Sequence, residues 1–127
     1  MPTVKRADIE RWLDGYVKAW SSNDPDEIGA LFTENAKYYT APFREPWRGR
    51  QAIVDGWLGR KEDPDDWEFR SQVLAVAGDL AFVRGRTSYR EPSIEYSNLW
   101  VIRLDDAGRC AEFTEWWMQH EPPPPTS

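Results

Sequence analysis

One carboxylate in the sequence lies where acid–base chemistry is expected. Glu115 stands between Phe113 and Trp117 in a β-prone segment near the C-terminus. Because side chains two residues apart share a face of a strand, these three lie on one face. An acid among apolar groups has a raised pKa, which suits a general acid or base. Two other roles stay open: an ion pair with Arg84 or Arg86 across the sheet, and a solvent-exposed position.

Neutral hydrogen-bonding side chains accompany this carboxylate. Tyr16 lies on the apolar side of a predicted helix, where its hydroxyl either donates to a ligand oxygen or is satisfied inside the core. Thr40 and Asn98 can each orient a ligand carbonyl, or can satisfy backbone groups. Arg84 and Arg86 can bind a carboxylate or an enolate oxygen if they face a pocket. On the other face of the sheet they would be surface charges or part of a dimer contact.

The presence of only one histidine and one cysteine limits the kinds of metal, catalytic and disulfide sites that the chain can form. His120 follows the last predicted strand, and Cys110 lies inside that strand. With one residue of each type, a His-rich metal site, most His-containing triads, an intrachain disulfide and a CxxC site are excluded. We expect His120 at the surface and Cys110 in the core, and we expect neither a metal nor a cofactor.

The composition is that of an acidic, aromatic-rich chain. Its 127 residues include 22 acids and 16 bases, a net charge of −6, which argues against nucleic acid or an anionic membrane as partner. No long apolar run is present, so we expect a cytoplasmic protein without a membrane span. Eight Trp, five Tyr and five Phe are enough rings for a Trp-rich core, a ring-lined pocket, or both.

Hydrophobic periodicity and turn residues predict the elements that position these side chains. Helical spacing predicts a helix over residues 6–21, a short helix that begins at Pro25 and extends to Phe32, and a third helix over 50–60. β-prone runs bounded by turn residues predict strands over 36–40, 67–76, 80–90, 95–104 and 109–119.

The order of these elements indicates an α+β fold, because the helices are separated from a run of antiparallel strands. Residues 41–48 contain two prolines and are predicted to form a loop. We expect one domain over residues 1–121, followed by a disordered Pro-rich tail over 122–127.

Three segments, in this order, carry a resemblance to a known family. They are YVKAWSSNDPDEIGALFTENAKYY (Tyr16–Tyr39), WRGRQAIVDGW (Trp47–Trp57) and DDAGRCAEFTEWW (Asp105–Trp117). The first is similar to the opening helices and first strand of nuclear transport factor 2-like proteins, the second to their third helix, and the third to their last hairpin. The chain therefore resembles a SnoaL-like domain of that superfamily, which has the same fold as ketosteroid isomerase.

The resemblance implies a cone-shaped α+β fold of the cystatin-like type. In it, a curved, mainly antiparallel mixed sheet wraps around three helices and encloses one apolar pocket. The resemblance also implies a small apolar molecule as the partner in that pocket and a homodimer formed through the outer face of the sheet. Members include enzymes and proteins without catalysis, so the fold alone does not give the function.

Ketosteroid isomerases provide a comparison at three positions. These enzymes use a tyrosine, an aspartate base and a protonated aspartic acid. Tyr16 matches the tyrosine, whereas Thr40 and Trp100 stand near the positions of the two acids. Neither side chain can act as a carboxylic acid, so the resemblance argues against classical ketosteroid isomerase chemistry.

The resemblance and strand alternation together predict which side chains face the pocket. Trp57 matches a pocket aromatic of the family, and Asn98 and Trp100 share the inner face of their strand. On the strand over 80–90, one register turns Arg84 inward, whereas a slip of one residue turns Thr87 inward instead. The predicted site comprises Glu115 and Tyr16 as catalytic residues and Tyr38, Thr40, Trp57, Arg84, Asn98, Trp100 and Phe113 as substrate-binding residues.

Two functions fit this set of residues. The first is an acid–base isomerase, cyclase, hydrolase or dehydratase acting on an apolar, oxygenated molecule, with Glu115 as the acid or base. The second is a non-catalytic module of the same fold, which binds an apolar ligand or acts as a dimeric interaction domain. A free Glu115 carboxyl in an enclosed pocket would favour the first, and an ion-paired or exposed Glu115 would favour the second.

Overall fold

Three α-helices, one short 3₁₀-helix (Pro64–Asp66) and six strands form the described part of the chain. A computed structural model describes residues 4–90 and 93–121, and the predicted tail over 122–127 lies outside the described residues. The elements are α1 (Arg6–Ser22), α2 (Pro25–Gly29), β1 (Phe32–Tyr39), β2 (Trp47–Arg48), α3 (Arg50–Leu58), β3 (Trp67–Ala77), β4 (Leu80–Tyr89), β5 (Ile94–Leu104) and β6 (Cys110–Gln119).

All six strands belong to one sheet in the order β2-β1-β6-β5-β4-β3. The β1–β6 pair is parallel, and the other neighbours are antiparallel. The curved, mainly antiparallel mixed sheet and the three helices confirm the predicted α+β fold. None of the helices in the described residues is long and apolar enough to cross a membrane.

The first helix carries the apolar face that covers the sheet. Trp12 and Tyr16, four residues apart on this face, are both buried, as helical periodicity predicts. The Trp12 indole N–H donates to the Leu31 backbone oxygen at 2.9 Å, so even the polar atom of this ring is satisfied in the core. The next helix begins as predicted, with Asp24 accepting from the backbone N–H of Asp26 at 2.8 Å.

The chain after this cap differs from the prediction. The second helix ends at Gly29 and not near Phe32, and β1 begins at Phe32 and not at Ala36. Its start is fixed by the parallel pairing with β6, where the Cys110 N–H donates to the Leu31 backbone oxygen at 2.7 Å. Local periodicity does not reveal a partner strand that lies some eighty residues further along the chain.

The register of β4 settles which of its side chains face inward. Val83 and Thr87 are buried beneath the helices, whereas Arg84 and Arg86 are exposed on the outer face. The inward prediction for Arg84 is therefore wrong, and the register shifted by one residue is the observed one. Arg84 donates to Gln72 on the neighbouring strand at 2.6 Å, which keeps its guanidinium in water and avoids desolvating a charge.

The outer face of the sheet exposes apolar side chains. Leu99 and Trp116 are cross-strand partners there, and Trp116 and Met118 are 52% and 70% exposed. Trp116 and Trp117 point to opposite faces, because neighbouring strand residues alternate. The homodimer expected through this face stays a prediction.

Candidate functional site

A cavity of about 360 Å³ lies between the helices and the inner face of the sheet. Nine of its eighteen lining residues are aromatic, and the other nine are polar or charged. This combination is typical of small-molecule sites. Its lining residues are Tyr16, Trp20, Tyr38, Thr40, Arg44, Trp47, Trp57, Arg60, Lys61, Glu62, Thr87, Tyr89, Tyr96, Asn98, Trp100, Glu115, Trp117 and Gln119.

Glu115 is bound inside this cavity by a short chain of hydrogen bonds. The Thr87 hydroxyl donates to Asn98 Oδ1 at 2.8 Å, and Asn98 Nδ2 donates to Glu115 Oε1 at 3.0 Å. These side chains come from three adjacent strands, β4, β5 and β6. Because the Asn98 oxygen is held by Thr87, its amide nitrogen faces the carboxyl. Oε1 of Glu115 is therefore an acceptor, and a proton on the neutral acid resides on Oε2.

Two buried polar atoms next to these hydrogen bonds lack a hydrogen-bond partner. Glu115 Oε2 and Trp100 Nε1 are both buried, and neither forms a hydrogen bond with the described residues. Trp100 and Glu115 are direct partners across the β5–β6 pair. An unsatisfied buried polar atom destabilises the fold by about 1–3 kcal/mol. Two of them on facing residues indicate a place where a ligand oxygen is expected.

Burial determines the protonation of Glu115. Desolvation raises the pKa of this carboxyl from 4.5 to about 8. The hydrogen bond from the Asn98 amide opposes the rise, and so does the Trp100 indole N–H, which lies near the carboxyl but does not reach hydrogen-bond geometry. The described residues form no ion pair with Glu115, since Arg86 binds Glu95 at 2.9 Å instead. The predicted alternative of an arginine partner for Glu115 is therefore wrong.

This raised pKa makes the stability of the fold depend on pH. The folded protein holds a proton on Glu115 up to a pKa of about 8, whereas the unfolded chain releases it near 4.5. The folded state binds more protons between these values, so this group's contribution to the free energy of unfolding falls as pH rises through that window. We expect Glu115→Gln to become more stable relative to wild type as pH rises from 5 to 9.

Urea unfolding of both proteins at each pH measures this difference. A difference in unfolding free energy that is flat across the range would contradict the raised pKa.

Two tyrosine hydroxyls form a second polar group in the cavity. Tyr16 Oη and Tyr38 Oη are 2.8 Å apart and buried. Burial raises the pKa of both hydroxyls well above the ordinary value, so both are neutral at neutral pH. In this pair one hydroxyl donates to the other, and the accepting hydroxyl keeps its own proton for a further acceptor. The pair therefore provides one hydrogen-bond donor to a ligand oxygen.

The aromatic wall holds this tyrosine pair in place. The rings of Trp57 and Trp100 lie 4.8 Å and 4.6 Å from the Tyr16 ring. The Tyr38 ring stacks on Trp47 on one side at 5.0 Å. Tilted and stacked rings at these distances attract each other and fix side-chain orientation.

The structure brings most of the predicted site residues to one cavity. Phe113 is not among the lining residues, because its ring is fully buried beneath the tyrosine pair, 4.4 Å from the Tyr38 ring. Arg84 lies on the outer face and is also absent. Seven predicted residues line the cavity, namely Tyr16, Tyr38, Thr40, Trp57, Asn98, Trp100 and Glu115.

Sequence reasoning missed other lining residues. Thr87 could have been found by choosing the second register of β4. Glu62 lies in a loop that gave no sequence signal, yet its Oε1 accepts from Trp20 at 3.3 Å and from Tyr89 at 3.1 Å. Across residues 4–90 and 93–121, no group of three or more His, Cys, Asp or Glu side chains could hold a metal ion.

Thr87 is a positioning residue for this site. In Thr87→Val the Asn98 amide loses its anchor, so its hydrogen bond to Glu115 weakens. Because that bond lowers the pKa of Glu115, we expect the pKa to rise in Thr87→Val, whereas Thr87→Ser keeps the hydroxyl and the wild-type value. Carbon-13 NMR of the Glu115 carboxyl measures both variants, and an unchanged pKa in Thr87→Val would show that Thr87 does not orient Asn98.

Residues 10–113 match the family described as SnoaL-like domain. The chain belongs to this family. The match covers most of the SnoaL-like chain, with the first two segments that carried the resemblance and the third as far as Phe113, so membership of the nuclear transport factor 2-like superfamily is confirmed. No curated protein matches the sequence.

Solved structures with similar folds accompany the SnoaL-like match. A candidate ketosteroid isomerase from Kribbella flavida DSM 17836 is 18% identical, with a TM-score of 0.70 over 94% of this chain and 84% of that one. A protein of unknown function with a cystatin-like fold from Methylobium petroleophilum PM1 is also 18% identical, with a TM-score of 0.72 over 99% and 86% of the two chains. At this identity the likeness shows a shared fold and no more.

Proposed function

We propose that this SnoaL-like domain is an enzyme that moves a proton to and from a small apolar, oxygenated molecule, with Glu115 as the acid–base group. One observation carries the proposal. The Glu115 carboxyl lies in a ring-lined cavity with a raised pKa, no cationic partner among the described residues, and one oxygen without a hydrogen bond. A half-buried acid with a raised pKa is suited to proton transfer near neutral pH.

The resting state of Glu115 is the neutral acid. A pKa of about 8 leaves roughly nine in ten molecules protonated at pH 7. The proton on Oε2 can pass to a substrate carbonyl, epoxide or hydroxyl oxygen, and the carboxylate that results can take a proton back from the same molecule. Asn98 donates to Oε1 in both states and stabilises the carboxylate when it forms.

Two hydrogen-bond donors are available to the substrate oxygen. The Tyr16–Tyr38 pair provides one free hydroxyl proton, and the Trp100 indole provides an unpartnered N–H beside Glu115. Donors held in place before the reaction stabilise negative charge that develops on oxygen, because they need no reorganisation. The aromatic wall binds the apolar body of the molecule and excludes water from the carboxyl.

The carboxyl and the hydrogen-bond donors of the cavity indicate the class of reaction. One acid–base carboxyl with fixed donors suits isomerisation, cyclisation, dehydration or hydrolysis that begins with proton transfer. The chemistry differs from the ketosteroid isomerase pattern, since Thr40 and Trp100 stand where that pattern has acids. Here the carboxyl comes from the last strand.

A panel of apolar ketones, β-hydroxy ketones and epoxides, incubated with the protein in D₂O, tests the proposal. We expect mass spectrometry to detect a new product or deuterium at carbon with at least one compound, dependent on the protein and reduced in Glu115→Gln. Saturable binding of panel members without any exchange or product would contradict the enzyme and support a binding module. Turnover that Glu115→Gln leaves intact would contradict the assigned role.

A further inference from the structure

The rim of the cavity carries the opposite charge to the rest of the protein. Arg44, Arg60 and Lys61 line the cavity from the loops that follow β1 and α3, against the single rim carboxylate of Glu62. The chain as a whole has a net charge of −6. Since Glu115 is mainly neutral at pH 7, the cavity carries a local positive charge inside an acidic protein. Such a field attracts and orients anions.

These three cations have no polar partner among the described residues, although Arg44 and Arg60 each lie over an aromatic ring. Within residues 4–90 and 93–121, none of them takes part in an ion pair or donates a side-chain hydrogen bond. Glu45, the acid beside Arg44 in the chain, binds Arg48 instead. Glu62 accepts from the Trp20 indole and the Tyr89 hydroxyl. The donors of the rim are therefore free for a ligand.

Arg60 is held by the aromatic wall. Its guanidinium carbon lies 5.5 Å from the centre of the Trp47 ring, which stacks on Tyr38 at 5.0 Å. A cation over an indole ring is attracted to it and keeps its in-plane N–H donors available. The positive field of Arg60 also reaches the inner site, where it opposes the burial that raises the pKa of Tyr38. A ligand that contacts the tyrosine pair is thus within the influence of this charge.

We infer that the natural ligand is an apolar acid: a ring-bearing body that fills the aromatic cavity, with a carboxylate bound at the rim by Arg60 and Arg44. The planar guanidinium matches a carboxylate with two parallel hydrogen bonds. The inference rests on the proposed function only in using the same cavity. The inference adds two properties of the ligand, its charge and its orientation. The carboxylate lies at the rim, and the reacting oxygen points toward Glu115.

Two probe molecules of nearly the same shape, one charged and one neutral, distinguish the effect of ligand charge on affinity from the effect of packing. Naphthalene-2-carboxylate and its neutral amide, 2-naphthamide, are titrated calorimetrically into the protein at pH 7 and low salt. We expect the carboxylate to bind roughly tenfold or more tightly, because a hydrogen bond to a charged group contributes about 1.5–3 kcal/mol. Arg60→Gln should remove most of this preference, because it weakens carboxylate binding more than amide binding. Arg84→Gln, the same charge change on the outer face, should keep it.

Three outcomes would overturn the inference. They are equal binding of the two probes, a preference that survives in the double variant of Arg60→Gln and Arg44→Gln, and no binding of the carboxylate. Turnover in Glu115→Gln is measured separately with the D₂O panel. Loss of the preference in Arg60→Gln therefore reports on the rim, whereas intact turnover in Glu115→Gln reports on the proposed function. The two ideas can fail separately.

Discussion

Replacing Glu115 by Gln is expected to lower kcat by roughly 10²–10⁴-fold, the range for removal of a general acid–base group. The amide has nearly the same shape as the acid, and its oxygen still accepts the Asn98 hydrogen bond. It cannot release a proton to a substrate oxygen. KM should change little, because the ring-lined walls that bind the substrate stay in place. Turnover of the substrate found in the D₂O panel gives both constants.

Glu112→Gln is the matched control for this substitution. Glu112 lies on the same strand but does not line the cavity. We expect its kcat to stay within about twofold of wild type, as for surface substitutions that disturb no special feature. Equal losses in both variants would show that the effect arises from β6 as a whole and not from the Glu115 carboxyl.

Replacing Phe113 by Ala is expected to destabilise the fold by about 3–5 kcal/mol, the range for removal of a buried phenylalanine. Phe113 is 0% exposed, and its ring touches four others. It lies 4.4 Å from Tyr38, 5.1 Å from Trp100, 5.8 Å from Tyr16 and 6.0 Å from Trp12, measured between ring centres. The cavity left by alanine would remove the packing beneath the tyrosine pair and beneath the indole that faces Glu115.

Urea unfolding measures this loss, with two variants for comparison. Phe113→Leu keeps most of the buried volume and should cost clearly less than Phe113→Ala. Phe43→Ala removes the same ring from a position that is 81% exposed, and we expect a change of no more than about 0.5 kcal/mol. A similar small change in Phe113→Ala would contradict the assignment of Phe113 to the core beneath the site.

Much of this fold can be predicted from the sequence, because local signals and the global fold agree. Asp24 before Pro25 marks a helix start, and helical spacing places Tyr16 on the buried face. The strand alternation that puts Asn98 and Trp100 inside is also visible from sequence. The start of β1 at Phe32 cannot be predicted from the sequence, because it depends on pairing with a strand far along the chain.

The candidate site is less predictable, for two physical reasons. A shift of one residue in β4 exchanges Arg84 for Thr87, and the alternating pattern of that strand does not show which register is correct. The rim residues, such as Arg60, lie in loops without periodicity, so only the folded chain brings them together. The apolar neighbours Phe113 and Trp117 did indicate a raised pKa for Glu115. They did not indicate the hydrogen bond from Asn98, which forms between two strands.

The pKa of the Glu115 carboxyl, measured by carbon-13 NMR, tests the central claim most directly. The protein is labelled at the glutamate side-chain carboxyl carbon and titrated from pH 4 to 10. The signal missing from Glu115→Gln identifies the residue. We expect a titration midpoint near 8, because burial raises the pKa. This result would mean that Glu115 is mainly a neutral acid at pH 7. A midpoint near the ordinary value of 4.5 would mean an ionised, solvated carboxylate, and would contradict its role as the proton donor.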